Sequence, residues 1–168
     1  CFIASQVVGS SGWVIGVDMN DEMLALARKA NSDVSQRLGY ANVEFRKGKI
    51  QDLRIDRDML DEWLKKNPIK SESDLIAFEL YVKQISETSP MIQDGSIDVV
   101  ISNCVLNLVN HKDKTMLFQE IYRVLKRGGR AAISDIVSDE PVPLELQQDH
   151  DLWSGCISGA FQEFEFLK

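Results

Sequence analysis

Short apolar runs alternate along this chain with longer amphipathic segments. Each run is only a few residues long and is bounded by polar or turn-forming residues, a pattern typical of parallel strands that are covered on both faces. The predicted strands are 13–18, 43–45, 97–102 and 130–136.

The segments between these strands carry apolar residues at helical spacing. The predicted helices are 1–9 with Gly9 as C-cap, 20 or 21 to about 29, 56 or 58 to 66, one capped within 71–74 and running past 85, and 113–126 ended by 127–129. Strands that alternate with helices predict an α/β fold, with a doubly wound, mainly parallel sheet and helices on both faces.

Length and composition fit one domain over 1–168. The chain has 168 residues, 44% of them hydrophobic, which is enough to bury a single sizeable core. The sequence turns charged and amphipathic between about 53 and 93, so we expect a helical insert or lid there. The tail from Pro141 to Phe166 is predicted to be helical or irregular.

The charge balance excludes a general nucleic-acid binder. Lys and Arg number 19 against 26 Asp and Glu, a formal net charge of −7, and the basic residues are scattered. No apolar run approaches the roughly 20 residues that a membrane span requires. We therefore expect a soluble protein with no nucleic-acid or membrane partner.

The cysteines favour neither a disulfide framework nor a zinc site. Cys1, Cys104 and Cys156 are far apart, and the chain contains only two histidines. A reducing, cytoplasmic setting is the interpretation that this pattern favours.

Ligands of parallel sheets bind beyond the carboxyl ends of the strands. Asp18 ends the first predicted strand, and a carboxylate there can accept two hydrogen bonds from a ribose diol. The alternative is an acid that only faces the dipole of the next helix. Met19 beside it, and the polar strand end at Gln51 and Asp52, favour the ribose role.

A glycine-rich phosphate loop is absent from the sequence. Residues 1–9 fit the helix that would follow such a loop, whereas Gly9, Gly12 and Gly16 form no phosphate cradle. We therefore expect the chain to be a fragment without the first strand and its loop, and pairing between two copies, a homodimer, to fill the gap.

Three stretches resemble one family. ISNCVLNLV at 101–109, the helix end RVLKRGG at 123–129 and LWSGCISGA at 152–160 look like class I S-adenosylmethionine-dependent methyltransferases, and more narrowly like arsenite methyltransferases. The resemblance covers most of the chain except about 53–93, and it implies a Rossmann-like fold. It also implies S-adenosyl-L-methionine as cofactor and a small-molecule substrate, for which thiol-bound arsenite is a candidate.

The same resemblance assigns residues. It implies that Cys156 is a catalytic thiolate that binds arsenic, and that a further set contacts the cofactor. That set is Asp18 at the ribose, Met19 against the adenine, Ile50 and Gln51 at the adenine edge, Asn103 at the methionine moiety, and Cys104 and Val105 lining the pocket.

Several alternatives stay open. Cys156 among apolar neighbours is, by composition alone, more often a small buried hydrophobe than a ligand. The domain is alternatively a methyltransferase of other specificity with the insert as its lid, or a non-catalytic S-adenosylmethionine-binding module. A nicotinamide dehydrogenase would need the G-x-G-x-x-G turn, which the sequence lacks.

Overall fold

A computed structural model describes residues 1–166. These residues form two compact units, one over Cys1–Ile92 and one from Gln93 onward. The prediction of a single domain with an insert at 53–93 stays a prediction, and each unit is described by itself.

The first unit contains one pair of strands and four helices among the described residues. They are α1 (Phe2–Val8), β1 (Val14–Asp18), α2 (Asp21–Leu38), β2 (Val43–Lys47), α3 (Arg57–Lys66) and α4 (Glu72–Thr88). β1 and β2 are parallel, in a register that runs from Val14 opposite Val43 to Asp18 opposite Lys47. The parallel pairing is the one that the alternating pattern predicts.

The helix starts follow the predicted capping chemistry. Asn20, Asp56 and Ser71 each accept backbone N–H groups from the first turn of the helix that follows. The predicted end of α2 at Lys29 is wrong, because the helix continues to Leu38 and ends at Gly39 with φ 77°. Asn31 is accommodated inside this helix because its Nδ2 donates to the Val43 carbonyl at 2.9 Å.

The helices α3 and α4 pack on each other through aromatic rings. The Trp63 ring stacks on that of Tyr81 with 5.2 Å between centroids, and it also lies 5.6 Å from that of Phe78. The apolar residues of α4 are not all buried, because Leu75 and Leu80 are exposed. Apolar residues on α4 occupy more of its circumference than one packing face can cover.

Lys47, at the end of β2, joins two helices by ion pairs. Its Nζ lies 2.8 Å from Asp21 Oδ1 at the start of α2 and 2.6 Å from Asp61 Oδ2 on α3. The hydrogen bond to Asp21, followed by that to Asp61, raises the pKa of Lys47. The ammonium thus fixes α3 beside the strand end that carries the predicted cofactor residues.

The second unit also has a parallel arrangement. Its elements are β3 (Ile97–Asn103), 3₁₀ turns at Leu106–Leu108 and His111–Asp113, α5 (Lys114–Val124), β4 (Leu125–Ser134), β5 (Val137–Ser138), α6 (Leu144–Gln147), α7 (His150–Ser154), β6 (Phe161–Gln162) and α8 (Glu163–Phe166). β3 pairs with β4 and β5 with β6, both parallel. Leu106, Leu117 and Val124 form the centre of its core.

Two sequence expectations for this unit are corrected. The helix does not reach Lys126, because Leu125 already pairs with Ile97, and the chain bulges before pairing resumes at Arg130 opposite Val99. Gly129 permits this close approach, since a β-carbon there would lie 3.0 Å from the Asp98 carbonyl oxygen. The predicted strand 130–136 ends two residues early, at Ser134, which lies opposite Asn103, the last residue of β3.

The strand β3 is less buried than its apolar sequence predicts. Val99 is 52% and Ile101 66% exposed. Within the second unit β3 forms a two-stranded sheet with β4, and so narrow a sheet cannot cover both faces of a strand. In the part of the chain that the structure describes, no helix combines the length and the apolar character that crossing a membrane requires.

Candidate functional site

Asp18 is the last residue of β1, and its carboxylate is oriented by the turn into α2. Its Oδ1 accepts the Asn20 N–H at 2.9 Å, and Asn20 in turn caps the helix. Oδ2 makes no hydrogen bond within residues 1–166. The carboxylate therefore has one oxygen engaged in local structure and one available to a ligand, so the two uses do not compete for the same atom.

A tight turn lies next to this strand end. Gly48 N–H donates to the Asp18 carbonyl at 2.9 Å, and the Asp52 N–H donates to the Lys49 carbonyl at 3.0 Å. Ile50 and Gln51 are the central residues of that turn. Gly48 leaves room for the Met91 side chain, whose methyl carbon would lie 2.5 Å from a β-carbon at this position.

Met19 and Gln51 supply groups that suit a flat heterocycle. The Met19 side chain is 61% exposed, although it is apolar and directly follows the strand. The Gln51 side-chain amide makes no hydrogen bond to the described residues. An exposed thioether, a carboxylate oxygen and an amide on adjoining segments give apolar contact together with hydrogen-bond donors and acceptors.

In the second unit, the chain turns sharply where β3 ends. Asn103 is the last residue of the strand and lies opposite Ser134 in the parallel register. The next residue, Cys104, donates its N–H to the Ser134 carbonyl at 2.8 Å and has φ 53°. Val105 follows as the cap of the first 3₁₀ turn. The left-handed conformation of Cys104 is uncommon for a residue with a β-carbon.

Cys156 lies directly beside this turn. Its thiol donates to the Cys104 carbonyl at 3.0 Å, although the two residues are 52 positions apart. Cys156 also has a positive φ, 62°, and these two cysteines are the non-glycine residues with positive φ among those described. Left-handed backbone at a non-glycine residue costs about 1–3 kcal/mol and is often found at functional sites.

Asp135 anchors the backbone around the two cysteines. Its Oδ2 accepts the N–H groups of Leu106 at 2.8 Å and Asn107 at 3.3 Å, and its Oδ1 accepts that of Ile136 at 2.9 Å. The carboxylate thereby fixes the segment that follows Cys104.

The environment keeps the Cys156 thiol protonated. Burial raises the pKa of Cys156, and the negative charge of Asp135 and the neighbouring Cys104 raise it further. A buried thiol of this kind is a weak nucleophile toward ordinary electrophiles but becomes a thiolate when a soft cation displaces its proton.

The structure brings together some predicted residues and keeps others in separate units. Asp18, Met19, Ile50 and Gln51 lie in the first unit on adjoining segments. The residues of the second unit adjoin one another around the end of β3: Asn103, Cys104, Val105 and Cys156.

Sequence reasoning missed three features of the second unit. It treated Cys104 as a wall of the cofactor pocket and did not place it against Cys156, and it placed Asn107 and Asp135 among the residues after strand ends without assigning either a specific role. Their polar side chains directly after apolar strands were the available signal. No group of three or more His, Cys, Asp or Glu side chains within 1–166 is arranged to hold a metal ion.

Comparison with known proteins gives consistent matches. A family model described as "Methyltransferase domain" matches residues 1–77 and 57–168. The chain is 36% identical over 169 aligned residues to the arsenite methyltransferase of Aquipseudomonas alcaligenes and 38% identical over 162 to that of Halobacterium salinarum. These alignments cover 99% and 95% of this chain, but only 38% and 30% of the two relatives. The chain thus spans about a third of the curated relatives it matches.

A solved structure matches as well. An arsenic(III) S-adenosylmethionine methyltransferase from Chlamydomonas reinhardtii superposes with a TM-score of 0.68 at 30% identity, covering 98% of this chain and 44% of that one. These matches confirm the predicted Rossmann-like α/β fold class and the resemblance seen in the sequence.

Proposed function

We propose, since this chain belongs to the methyltransferase domain family, that it takes part in methyl transfer from S-adenosylmethionine to trivalent arsenic. The observation that carries the proposal is the contact between the Cys156 thiol and the Cys104 main-chain carbonyl at 3.0 Å, which brings the two cysteines next to each other. Trivalent arsenic is soft and three-coordinate, so it favours sites that offer more than one sulfur.

The first unit supplies groups that fit the adenosine part of the cofactor. The unengaged Oδ2 of Asp18 can accept hydrogen bonds from a ribose diol, while Oδ1 holds the carboxylate in place through Asn20. The exposed Met19 offers apolar contact to an adenine, and Ile50 and Gln51 present one apolar and one amide side chain on a turn. We propose these four residues as adenosine contacts.

The second unit supplies the acceptor side. We propose that Cys156 and Cys104 both bind trivalent arsenic as thiolates, which leaves a third position for a thiol that arrives with the substrate. S-adenosylmethionine, when bound, supplies a methyl group whose bond to sulfur breaks as the arsenic lone pair forms the new As–C bond. The residues need no acid–base step beyond loss of the thiol protons, so they act by holding arsenic in place.

Asn103 and Val105 complete the assignment. Asn103 ends β3 with an exposed side chain, and Val105 is partly exposed one residue beyond Cys104. We propose that Asn103 binds the methionine moiety of the cofactor, with Cys104 and Val105 lining the same end.

We also propose a reducing compartment such as the cytoplasm. All three cysteines are free in the structure, and the proposed chemistry requires reduced thiols.

Pairing of two copies stays a proposal too. The exposed Val99 and Ile101 on β3 support it, because an apolar strand open to solvent favours association. Light scattering measures the mass of the wild type and of Ile101→Lys in solution. A dimeric wild type and a monomeric variant are expected, and a monomeric wild type would contradict the proposal.

Two measurements test the cofactor and the acceptor separately. Calorimetric titration with S-adenosylhomocysteine should show binding that weakens about tenfold to a hundredfold in Asp18→Ala, the effect of losing hydrogen bonds to a charged group. Asp33→Ala, an exposed acid on α2, is the matched control and should bind like the wild type. Absence of binding by the wild type would sink the cofactor proposal for this chain.

The acceptor test uses arsenite, glutathione and S-adenosylmethionine, with methylated arsenic detected by chromatography. Cys156→Ser and Cys104→Ser should each abolish the product, whereas Cys1→Ser should retain it. Equal product from all three variants would show that the paired cysteines do not bind the substrate.

A further inference from the structure

Asn107 is a completely buried amide that ties two chain segments together. Its Nδ2 donates to the Ile136 carbonyl at 2.7 Å and to the Cys156 carbonyl at 3.1 Å. The residue has 0% exposure, and its Oδ1 is buried without a hydrogen-bond partner among the described residues. Its side chain therefore acts as a double donor, and one of its two acceptors is the main chain of the proposed arsenic ligand.

The backbone of Asn107 is fixed from the other side. Its N–H donates to Asp135 Oδ2 at 3.3 Å, and the same oxygen accepts the Leu106 N–H at 2.8 Å. Cys104 lies three positions earlier in the same turn, so the carboxylate that fixes Asn107 also fixes the segment that carries Cys104. Asn107 is thus bonded to the surroundings of both cysteines.

The loop that follows Cys156 rests directly on Asn107. A β-carbon on Gly159 would lie 1.9 Å from the Asn107 carbonyl oxygen, so only a residue without one permits this approach. The buried Lys114 donates from Nζ to the Gly159 carbonyl. Ser158 Oγ donates to the Leu146 carbonyl at 2.5 Å. The main chain on both sides of Gly159 is therefore held by buried polar groups.

We propose that Asn107 is a positioning residue that holds the Cys156 segment against the Cys104 turn, so that both thiols can bind one trivalent arsenic atom. This inference rests on the proposed function, because it assigns Asn107 to the geometry of that arsenic site. Only a planar amide of this length carries two donors on one nitrogen that can reach both carbonyls. Asp would offer no donor here, and Ala would leave the buried Cys156 carbonyl and the part-buried Ile136 carbonyl without this partner.

A purely structural role is the competing explanation, since any buried double donor stabilises a fold. The two explanations differ in what they predict for a reagent that bridges two thiols and for a reagent that reacts with one thiol. A bidentate ligand gains roughly 10²–10⁴ over one thiol only if both thiols can engage together. A reagent that alkylates one thiol does not depend on the spacing between two.

The experiment compares phenylarsine oxide, which bridges two thiols, with iodoacetamide, which alkylates one. The proteins are the 168-residue chain, Asn107→Ala, Asn107→Ser and the control Asn110→Ala, all with Cys1→Ser so that two thiols remain. Asn110 is an exposed asparagine that caps a short 3₁₀ turn and makes no hydrogen bond to the Cys156 segment. Circular dichroism reports whether each variant retains its fold.

We expect Asn107→Ala to bind phenylarsine oxide at least about tenfold more weakly than the parent, as partial loss of bidentate binding implies. Asn107→Ser keeps one donor, so its affinity for phenylarsine oxide should lie between that of the parent and that of Asn107→Ala. Alkylation of Cys156 should not slow in either variant, and Asn110→Ala should match the parent in both assays.

The outcomes separate the inference from the proposed function. A folded Asn107→Ala that binds phenylarsine oxide within about twofold of the Asn110→Ala control would overturn the positioning role and leave the proposed function intact. A parent that does not bind phenylarsine oxide through both thiols would instead overturn the proposed function. If both Asn107 variants lose the fold, Asn107 is a stability residue and the positioning role is overturned as well.

Discussion

Replacing Gly159 by alanine tests the packing beneath the two cysteines. The added β-carbon would lie 1.9 Å from the Asn107 carbonyl oxygen, whereas real β-carbons essentially never approach closer than 3.0 Å. The loop must therefore move by at least 3.0 − 1.9 = 1.1 Å, against backbone atoms that cannot rotate away. Overpacking of this kind costs about 1–3 kcal/mol in free energy of unfolding.

The same loop contains a matched control. A β-carbon on Gly155 would meet its nearest neighbour, the Asp151 carbonyl oxygen, at 3.5 Å, an ordinary contact. The φ of Gly155 is −80°, which alanine adopts without strain. Gly155→Ala should therefore be neutral or stabilise by up to about 1 kcal/mol through the unfolded state.

Urea unfolding followed by circular dichroism measures both variants, and phenylarsine oxide binding measures the thiol pair in each. Gly159→Ala should lose stability and arsenical affinity together, while Gly155→Ala should retain both. Equal free energies of unfolding for the two variants, within about 0.5 kcal/mol, would refute the close contact between the loop and Asn107.

Three further changes test the electrostatics of the two units. Asp135→Asn should lower the pKa of Cys156 only part of the way to its usual value, because burial, the larger cause, remains; the pH profile of iodoacetamide alkylation should move to lower pH, and Asp139→Asn should not move it. Because the raised pKa makes the folded state bind the Cys156 proton more tightly, stability should fall as pH rises above the usual thiol pKa. Urea titrations across that range should show a steeper fall for the wild type than for Cys156→Ser, and parallel curves would count against the raised pKa. Lys47→Met removes the ammonium between two carboxylates, so the repulsion left behind should lower the melting temperature and speed proteolysis in α3; Lys65→Met, on the exposed end of that helix, should behave like the wild type.

Local chemistry explains which parts of the fold the sequence could predict. Helix starts depend on one side chain and the next few N–H groups, so Asn20, Asp56 and Ser71 are recognisable without tertiary information. Elements whose bounds depend on residues far away in the sequence cannot be recognised from local sequence. The start of β4 at Leu125 depends on pairing with Ile97, although the local sequence Lys126–Gly129 is typical of a helix end. The strands β5 and β6 are each two residues long, which is too short to show the alternation of apolar and polar residues that identifies a strand.

The candidate site divides in the same way. The position of Asp18 at a strand end before a capped helix is predictable because it is a local pattern, and its role in binding stays a prediction. The contact between Cys156 and Cys104 joins residues 52 positions apart, and neither apolar period nor spacing encodes it. Asn107 looks like any polar residue after a strand until its two carbonyl partners are known.

The arrangement around the cysteines puts its strong interactions on the main chain and leaves the sulfurs weakly held. Asp135 accepts three backbone N–H groups, and Asn107 donates to two backbone carbonyls. By contrast, the Cys156 thiol makes one hydrogen bond, which is weak because a thiol is a weak donor. The exposed Cys104 thiol makes none to the described residues. Exchange of a thiol proton for a soft ligand therefore breaks one weak hydrogen bond at most, while the backbone that sets the sulfur positions stays in place. A site built this way binds through preorganisation of its ligands. Phenylarsine oxide, which must engage both thiols together, therefore reports on that preorganisation, whereas iodoacetamide, which alkylates one thiol, does not.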